Sequence, residues 1–312
     1  MGCMGKPSKS KDFLSIADLQ PQEVEAVVRH ALRLKKRQEA PRPLEGKFIA
    51  LLFEKPSLRT RSSFEVGIRQ LGGQAVYFGK EEVGLGVREP VADVARVLDR
   101  MFDGIVARVF SHENLKVLAS HTQKPVVNAL SDVEHPCQAL ADLLTLLERF
   151  NGFAGRKLAY IGDGNNVAAS LAIACASVGT EFAIASPKRY QVPSEQWGEA
   201  LRRAATADTR VSWHESPQEA VQGADAVYTD VWVSMGQEAE NAVRMKAFAG
   251  YQVNPGLMKR AKPGAIFLHD MPAHEGEEIS KGMLDHPSSV VFDQAENRLH
   301  AQKALLARLF AQ

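Results

Sequence analysis

Short apolar runs recur along this chain at 47–53, 74–79, 104–110 and 125–130, and again at 157–162, 181–186, 210–214, 226–231 and 265–270. Each has the length of a buried strand and ends in polar or glycine-bearing sequence. Between them lie segments of helical period, such as Pro21–Gln38 with Val24, Val27, Val28, Ala31 and Leu32 on one face. Strands that are apolar throughout and alternate with helices predict parallel sheets covered on both faces. A glycine-bearing break, Phe150-Asn151-Gly152-Phe153-Ala154-Gly155, follows a long helical pattern and divides the runs into two sets. The fold class predicted is therefore α/β, with two doubly wound parallel-sheet domains, 1–150 and 151–290, joined by a long helix. The segment Asp293–Phe310 has helical spacing through Leu299, Ala304, Leu305 and Leu309, and 291–312 is predicted to return to the first domain. The stretch 187–208 shows no clear period and reads as a region carrying a loop.

Composition narrows the classes of function. With 38 Lys+Arg against 37 Asp+Glu, the formal charge is +1, and no basic field points to nucleic acid. Cys3, Cys137 and Cys175 have no paired spacing, which argues against a disulfide framework and against a zinc cluster. The opening Met1-Gly2-Cys3-Met4-Gly5-Lys6 has no apolar core of a secretory signal, and Lys6 breaks the myristoylation pattern. No apolar run approaches the ~18 residues of a membrane span. A soluble cytoplasmic protein, away from membranes, is the expectation.

Candidate chemistry gathers where strands end. Ser57, Leu58, Arg59, Thr60 and Arg61 stand where the first strand gives way to a helix. Free N–H groups and the helix dipole favour an anion there, and guanidinium forks and hydroxyls suit a phosphate. The alternative is that Ser57 or Thr60 merely caps the helix. Arg108 sits inside an apolar strand pattern, where a charge is usually paired or faces a ligand. His135 and Gln138 flank Pro136 at the start of a helix, three residues apart, and can donate together to a carbonyl or phosphate. The run Gly162-Asp163-Gly164-Asn165-Asn166-Val167 approaches the dinucleotide fingerprint, but Val167 replaces its third glycine. Asn165 and Asn166 suit an amino-acid carboxylate better than a pyrophosphate, so an NAD-dependent dehydrogenase is disfavoured. Asp230, at the end of a strand, suits a ligand ammonium, with Ser234 close behind. His269, Asp270 and His274 crowd the end of the last strand; metal ligation is conceivable there, yet no second ligand set accompanies it.

In this order and spacing, these stations resemble the ornithine branch of the aspartate/ornithine carbamoyltransferase superfamily. Ser57–Arg61 is similar to its carbamoyl-phosphate loop, and His135-Pro136-Cys137-Gln138 to its carbonyl-binding motif. Asp230 with Ser234-Met235-Gly236, the block from His269 to Glu278, and Glu296-Asn297-Arg298 match the ornithine branch. The resemblance runs from Asp12 to Leu309. It implies that carbamoyl phosphate and L-ornithine give L-citrulline and phosphate, in arginine metabolism, with no cofactor or metal. By the same resemblance Ser57, Leu58, Arg59, Thr60 and Arg108 bind the phosphate, and His135, Gln138 and Arg298 hold the carbamoyl group. Asn166, Asp230, Ser234 and Met235 hold ornithine's amino-acid end. A homotrimer, or a multiple of trimers, is implied as well.

The chain departs from the family at three points. Asp270 and Met271 stand where the family has Cys-Leu beside ornithine's reactive amine, so a carboxylate is expected to position that amine and take its proton. Leu58 replaces the usual Thr, leaving backbone N–H groups to cover for a missing hydroxyl. Gly84 stands where relatives place a Gln or His that reaches a neighbouring subunit. The competing readings are a carbamoyltransferase for N-acylated ornithine or putrescine, and a non-catalytic paralogue.

Overall fold

The computed structural model describes residues 11–234 and 236–311. The first four apolar runs are strands β1 (Phe48–Phe53), β2 (Gln74–Phe78), β3 (Gly104–Arg108) and β4 (Val126–Leu130), in one sheet of order β2-β1-β3-β4. The other five are β5 (Lys157–Ile161), β6 (Glu181–Ala185), β7 (Val211–His214), β8 (Ala226–Thr229) and β9 (Ile266–His269), in order β7-β6-β5-β8-β9. Every pairing in both sheets is parallel. Central strands are buried nearly end to end, as runs with no polar alternation require when helices cover both faces.

Helices α1 (Pro21–Lys35), α2 (Leu58–Gln70), α3 (Lys80–Val83), α4 (Val91–Met101) and α5 (His112–Ser120) accompany the first sheet. Helix α6 (Pro136–Phe150) carries the chain out of it and ends on Asn151, whose φ of +55° asparagine tolerates. Helices α7 (Asn166–Ser177), α8 (Ser194–Thr206), α9 (Pro217–Val221), α10 (Asn241–Ala247) and α11 (Pro255–Met258) accompany the second sheet. Helix α12 (Val291–Phe310) returns to pack on α6, α1 and α2. Asn297 locks that return: its amide donates to Thr145 Oγ1 at 3.0 Å and Glu148 Oε2 at 2.7 Å, and accepts from Lys35 Nζ at 2.8 Å.

Each sheet reverses its winding once, between β1 and β3 in the first and between β5 and β8 in the second. Such switch points open a crevice at the carboxyl ends of the strands. Ser57 follows β1 and Arg108 ends β3; Asn165 follows β5, Asp230 follows β8 and Asp270 follows β9. The topology thus collects residues far apart in the chain.

Two local findings differ from what the sequence suggests. The stretch 187–208, expected to carry a loop, contains a 3-10 turn, Lys188–Tyr190, and the 13-residue helix α8. Its buried face is Gln196, Ala200, Arg203 and Ala204 rather than large apolar residues, which hides the period. Arg203 is satisfied internally by Ser177 Oγ and by the carbonyls of Ala17 and Leu19. Gly84 ends α3 with φ +48°, and a Cβ there would stand 2.8 Å from the Cβ of Arg88. This loop conformation therefore selects glycine, and a Gln or His would need a different one. Among the described residues, no helix is long and apolar enough to cross a membrane.

Candidate active site

Buried donors crowd the start of α2. Ser57 caps the helix: its Oγ accepts from Thr60 N at 3.2 Å and donates to Thr60 Oγ1 at 3.0 Å. Thr60 Oγ1 also takes Arg298 Nη2 at 3.0 Å and Arg108 Nη1 at 3.4 Å. Three donors on one hydroxyl exceed its two lone pairs. Arg108 Nε, Arg298 Nε and His135 Nδ1 are buried with no partner at all. Burial, then repulsion by Arg298, pulls Arg108 down to about 10, and burial lowers Arg298 too. His135 is driven well below its ordinary range by burial, then by Arg298 and Arg108, so its imidazole is neutral. A buried region with this surplus of positive charge and open N–H groups is built for an anion.

A β-bulge between Ala107 and Arg108 shifts the β3–β4 register at the strand end that carries Arg108. Arg298 arrives from α12 and Gln138 from α6; Arg298 Nη1 donates to Gln138 Oε1 at 2.7 Å. The Gln138 amide is oriented from below, where its Nε2 donates to Asp142 Oδ1 at 2.8 Å. Gln294 Nε2 donates to the same oxygen at 2.7 Å, while Gln294 Oε1 accepts from His269 N at 2.9 Å. Asp142 is fully enclosed, and burial pushes its carboxyl up to about 7. His135 N donates to Ser170 Oγ at 3.0 Å and to Asn166 O at 3.3 Å, both on α7. Residues of both sheets therefore meet at one ring of donors.

Opposite this ring the balance reverses to acceptors. Asp230 Oδ2 accepts from Asn165 Nδ2 at 2.7 Å, and Asp230 Oδ1 from Val231 N at 2.7 Å. Burial, then the charge of Asp230 and a hydrogen bond to it, raise Asp270 well above the ordinary carboxylate range. Asp270 is thereby pushed toward its protonated form, because a second charge beside Asp230 in so buried a place is disfavoured. Asp270 Oδ1 is buried without a partner. His269 joins Asp230 and Asp270 in one cluster of ligand-type atoms. Its Nδ1, however, accepts from Met271 N at 2.8 Å, and its Nε2 faces Glu278 Oε1 at 3.3 Å. Both ring nitrogens are thus spent on the backbone and Glu278, which suits hydrogen bonding better than metal ligation.

Arg108, from the donor ring, meets the acidic end in a cavity of about 470 Å³ whose walls also include Lys55, Asn166, Asp230, Ser234 and Asp270. Most of the residues expected from the sequence stand on it or on the donor ring. Leu58 is 79% exposed, so only its backbone is available to an anion at the helix start. Arg59 Nη2 donates to the carbonyl of Met271 at 2.6 Å, tying the α2 start to the loop after β9. Arg61 turns away, stacked 3.8 Å over Tyr77 and paired with Glu65 at 2.8 Å. Arg108 and Arg298 supply the further guanidiniums instead. Asn166 spends its Nδ2 on Ser131 O at 2.6 Å, and Asn165 rather than Asn166 bonds Asp230. Met235 lies outside the described residues. Lys55 on the cavity wall, and Asp142 and Gln294 beneath Gln138, are positions that the sequence did not single out. Lys55 carried a legible signal, standing two residues before Ser57; the buried partners of Gln138 carried none.

Comparison with known proteins fits this geometry. The model of the aspartate/ornithine carbamoyltransferase carbamoyl-P binding domain matches residues 11–148, and that of the Asp/Orn binding domain matches 154–309. The ornithine carbamoyltransferase of Anoxybacillus flavithermus is 49% identical over 304 residues, 96% of this chain and 97% of its own. The solved structure of the ornithine carbamoyltransferase from Pyrococcus furiosus superposes with a TM-score of 0.91 at 46% identity, over 95% of this chain and 96% of its own. The anabolic ornithine carbamoyltransferase of Campylobacter jejuni gives a TM-score of 0.91 at 40% identity, over 96% and 98%.

Proposed function

The chain belongs to the aspartate/ornithine carbamoyltransferase family, and on that premise we propose how its cavity transfers a carbamoyl group from carbamoyl phosphate to the side-chain amine of L-ornithine. The products are L-citrulline and phosphate. One observation carries the assignment of roles: Arg108, from a ring of buried donors in excess, and the buried Asp230 and raised Asp270 carboxyls line the same cavity. The leaving group is an anion and the nucleophile arrives as a cation.

The backbone at Leu58 and the side chains of Ser57, Arg59, Thr60 and Arg108 hold the phosphate. Arg298, neutral His135 and the free amide N–H of Gln138 donate to the carbamoyl oxygen, where negative charge gathers as the amine attacks. Fixed donors at both developing charges in a dry site supply a large share of the acceleration. Asn166, Asp230, Ser234 and Met235 hold the amino-acid end, and Met271 shapes the wall beside it. As the ammonium enters, its charge displaces the proton of Asp270 to solvent, and the Asp270 carboxylate then takes one proton from the ammonium. The free amine attacks, the carbon–oxygen bond to phosphate breaks, and the second proton of the attacking nitrogen leaves with phosphate.

Residues 1–150 form the carbamoyl-phosphate domain in this reading, 151–290 the ornithine domain, and 291–312 the helix returning to the first. The assembly is a homotrimer or a multiple of trimers in the cytoplasm, and exposed apolar Val87 and Met101 offer material for an interface. The test is a panel of amines with carbamoyl phosphate, read as ureido product. Ornithine is expected to lead. Putrescine or N-acetylornithine outpacing it overturns the substrate, and no product from any amine overturns the activity.

A further inference from the structure

Glu134 stands next to His135 in the turn between β4 and α6, and it is 3% exposed. A carboxyl so deeply buried is ordinarily paired with a cation, yet among the described residues no ion pair reaches it. Three hydrogen-bond donors face it instead. Ser15 Oγ donates to Oε1, while Ile16 N at 3.1 Å and Ser170 Oγ at 2.9 Å donate to Oε2. Burial pushes the carboxyl up, and these three bonds pull it back. All three partners point hydrogens at it, so the ionised form is the one they fit.

Ser170, fully buried on α7, is where this arrangement reaches the site. A serine inside a helix ordinarily turns its hydroxyl back onto the carbonyl four residues earlier, which here is that of Asn166. Glu134 takes that hydrogen instead. Ser170 Oγ is thereby left as an acceptor for His135 N at 3.0 Å, and Asn166 O stays open to the same N–H at 3.3 Å. Both acceptors of the His135 N–H therefore depend on where one hydroxyl hydrogen goes. The His135 ring has no partner on Nδ1, so its direction is set largely through its backbone. Ser15 uses the same device elsewhere. It gives its hydrogen to Glu134 and accepts from Ala17 N at 2.9 Å, capping the 3-10 turn Ile16–Asp18.

Resting on the carbamoyl-transfer reading above, we propose that Glu134 is a positioning residue for His135. As a carboxylate it holds the Ser170 hydroxyl away from Asn166 O, and this fixes the His135 backbone so that the imidazole meets the carbamoyl oxygen. Its effect is confined to one part of the substrate. In that reading the phosphate is held by Ser57, Arg59, Thr60 and Arg108, which bond neither Glu134 nor Ser170. A misplaced His135 should therefore weaken the transfer step and leave phosphate binding alone. A reacting group shifted by about 1 Å costs about 10²-fold in rate.

The experiment measures kcat/KM for carbamoyl phosphate, the inhibition constant of inorganic phosphate, and Tm. The proteins are the wild type, Glu134→Gln, Ser170→Ala, the double variant and Ser15→Ala. Glu134→Gln and Ser170→Ala are each expected to lower kcat/KM by about 10- to 100-fold, while the inhibition constant of phosphate moves less than about twofold. The double variant should lose no more than the worse single one, because the two act through one hydrogen bond. Ser15→Ala should lower Tm and leave kcat/KM within about threefold, since it breaks only the branch to the Ile16–Asp18 turn. An unchanged kcat/KM in Glu134→Gln, or losses that add in the double variant, overturns the proposal. So does phosphate inhibition weakened in step with kcat/KM, or a Ser15→Ala loss as deep as that of Ser170→Ala. Should Glu134→Gln fail to fold, Ser170→Ala decides alone, and an unchanged kcat/KM there overturns the proposal. A wild-type enzyme that makes no ureido product overturns the functional reading instead, which separates the two failures.

Discussion

The two ends of the cavity solve opposite problems with buried charge. At the phosphate end, donors outnumber acceptors: Arg108 and Arg298 share Thr60 Oγ1, and three further buried nitrogens have no partner. At the amine end, acceptors outnumber donors, and Asp270 is raised by its burial and by Asp230 standing beside it in the same enclosed space. The first end is cross-braced from four segments, α2, β3, α6 and α12, with Asp142 beneath as a common anchor. The second leans on strand ends and on an Asp270 carboxyl pushed toward its protonated form. A site can keep fixed guanidiniums waiting for an anion because arginine does not give up its charge. Carboxyls adjust by taking up a proton, so the amine end is the one that responds to pH.

The comparison breaks most visibly at Arg298. Replacing it by Leu removes the brace between Thr60 and Gln138 and the donor proposed for the carbamoyl oxygen, and kcat/KM for citrulline formation should fall about 10³-fold. A loss under about tenfold would mean that the donor ring is redundant.

Asp270→Asn tests the other end. The general-base role proposed for Asp270 is worth about 10² in rate, so kcat should fall by that order. In the wild type the acid-side decline of kcat/KM should lie above the ordinary carboxylate range, because Asp270 is raised, and the variant should lose that limb. Stability runs the opposite way. A carboxyl raised in the fold is favoured protonated, so its contribution is complete below the unfolded value near 3.8 and is lost as pH climbs through the raised one. Tm followed from about pH 4 to about pH 9 should show the wild type losing ground to Asp270→Asn as pH rises.

Leu58→Thr is the mildest probe. The side chain points to solvent and only the backbone serves the helix start. Carbamoyl-phosphate KM should move by less than about threefold, since one exposed hydroxyl contributes little. A larger gain would show that the phosphate end lacks a donor it can still use.

The architecture was legible because buried parallel strands leave an unambiguous mark: apolar runs with polar stops, set between helical periods. All nine runs became strands within a residue or two of the expected bounds. Helix α8 escaped because its inner face is built from Ala, Gln and a satisfied Arg203, which periodicity counts as surface. For the site, Arg108, His135 and Asp230 announced themselves as polar residues at strand ends or helix starts. Asp142 and Gln294 did not, since a carboxylate or amide on a helix reads as solvated until another helix is laid over it. Arg61 shows the converse, a guanidinium within the right motif that the helix turns outward onto Tyr77.

What the amino-acid order determined by itself was local: where strands and helices lie, and which junctions carry donors and which carry acids. Only the tertiary structure decided which of these meet. Thr60 becomes the convergence point of Arg108 and Arg298 because the first sheet changes winding direction beside it and α12 returns across α6. Asp270 is pushed toward its protonated form because folding buries it and brings Asp230 against it. Charges and pKa values follow from distance and burial, and neither is a property of sequence neighbours.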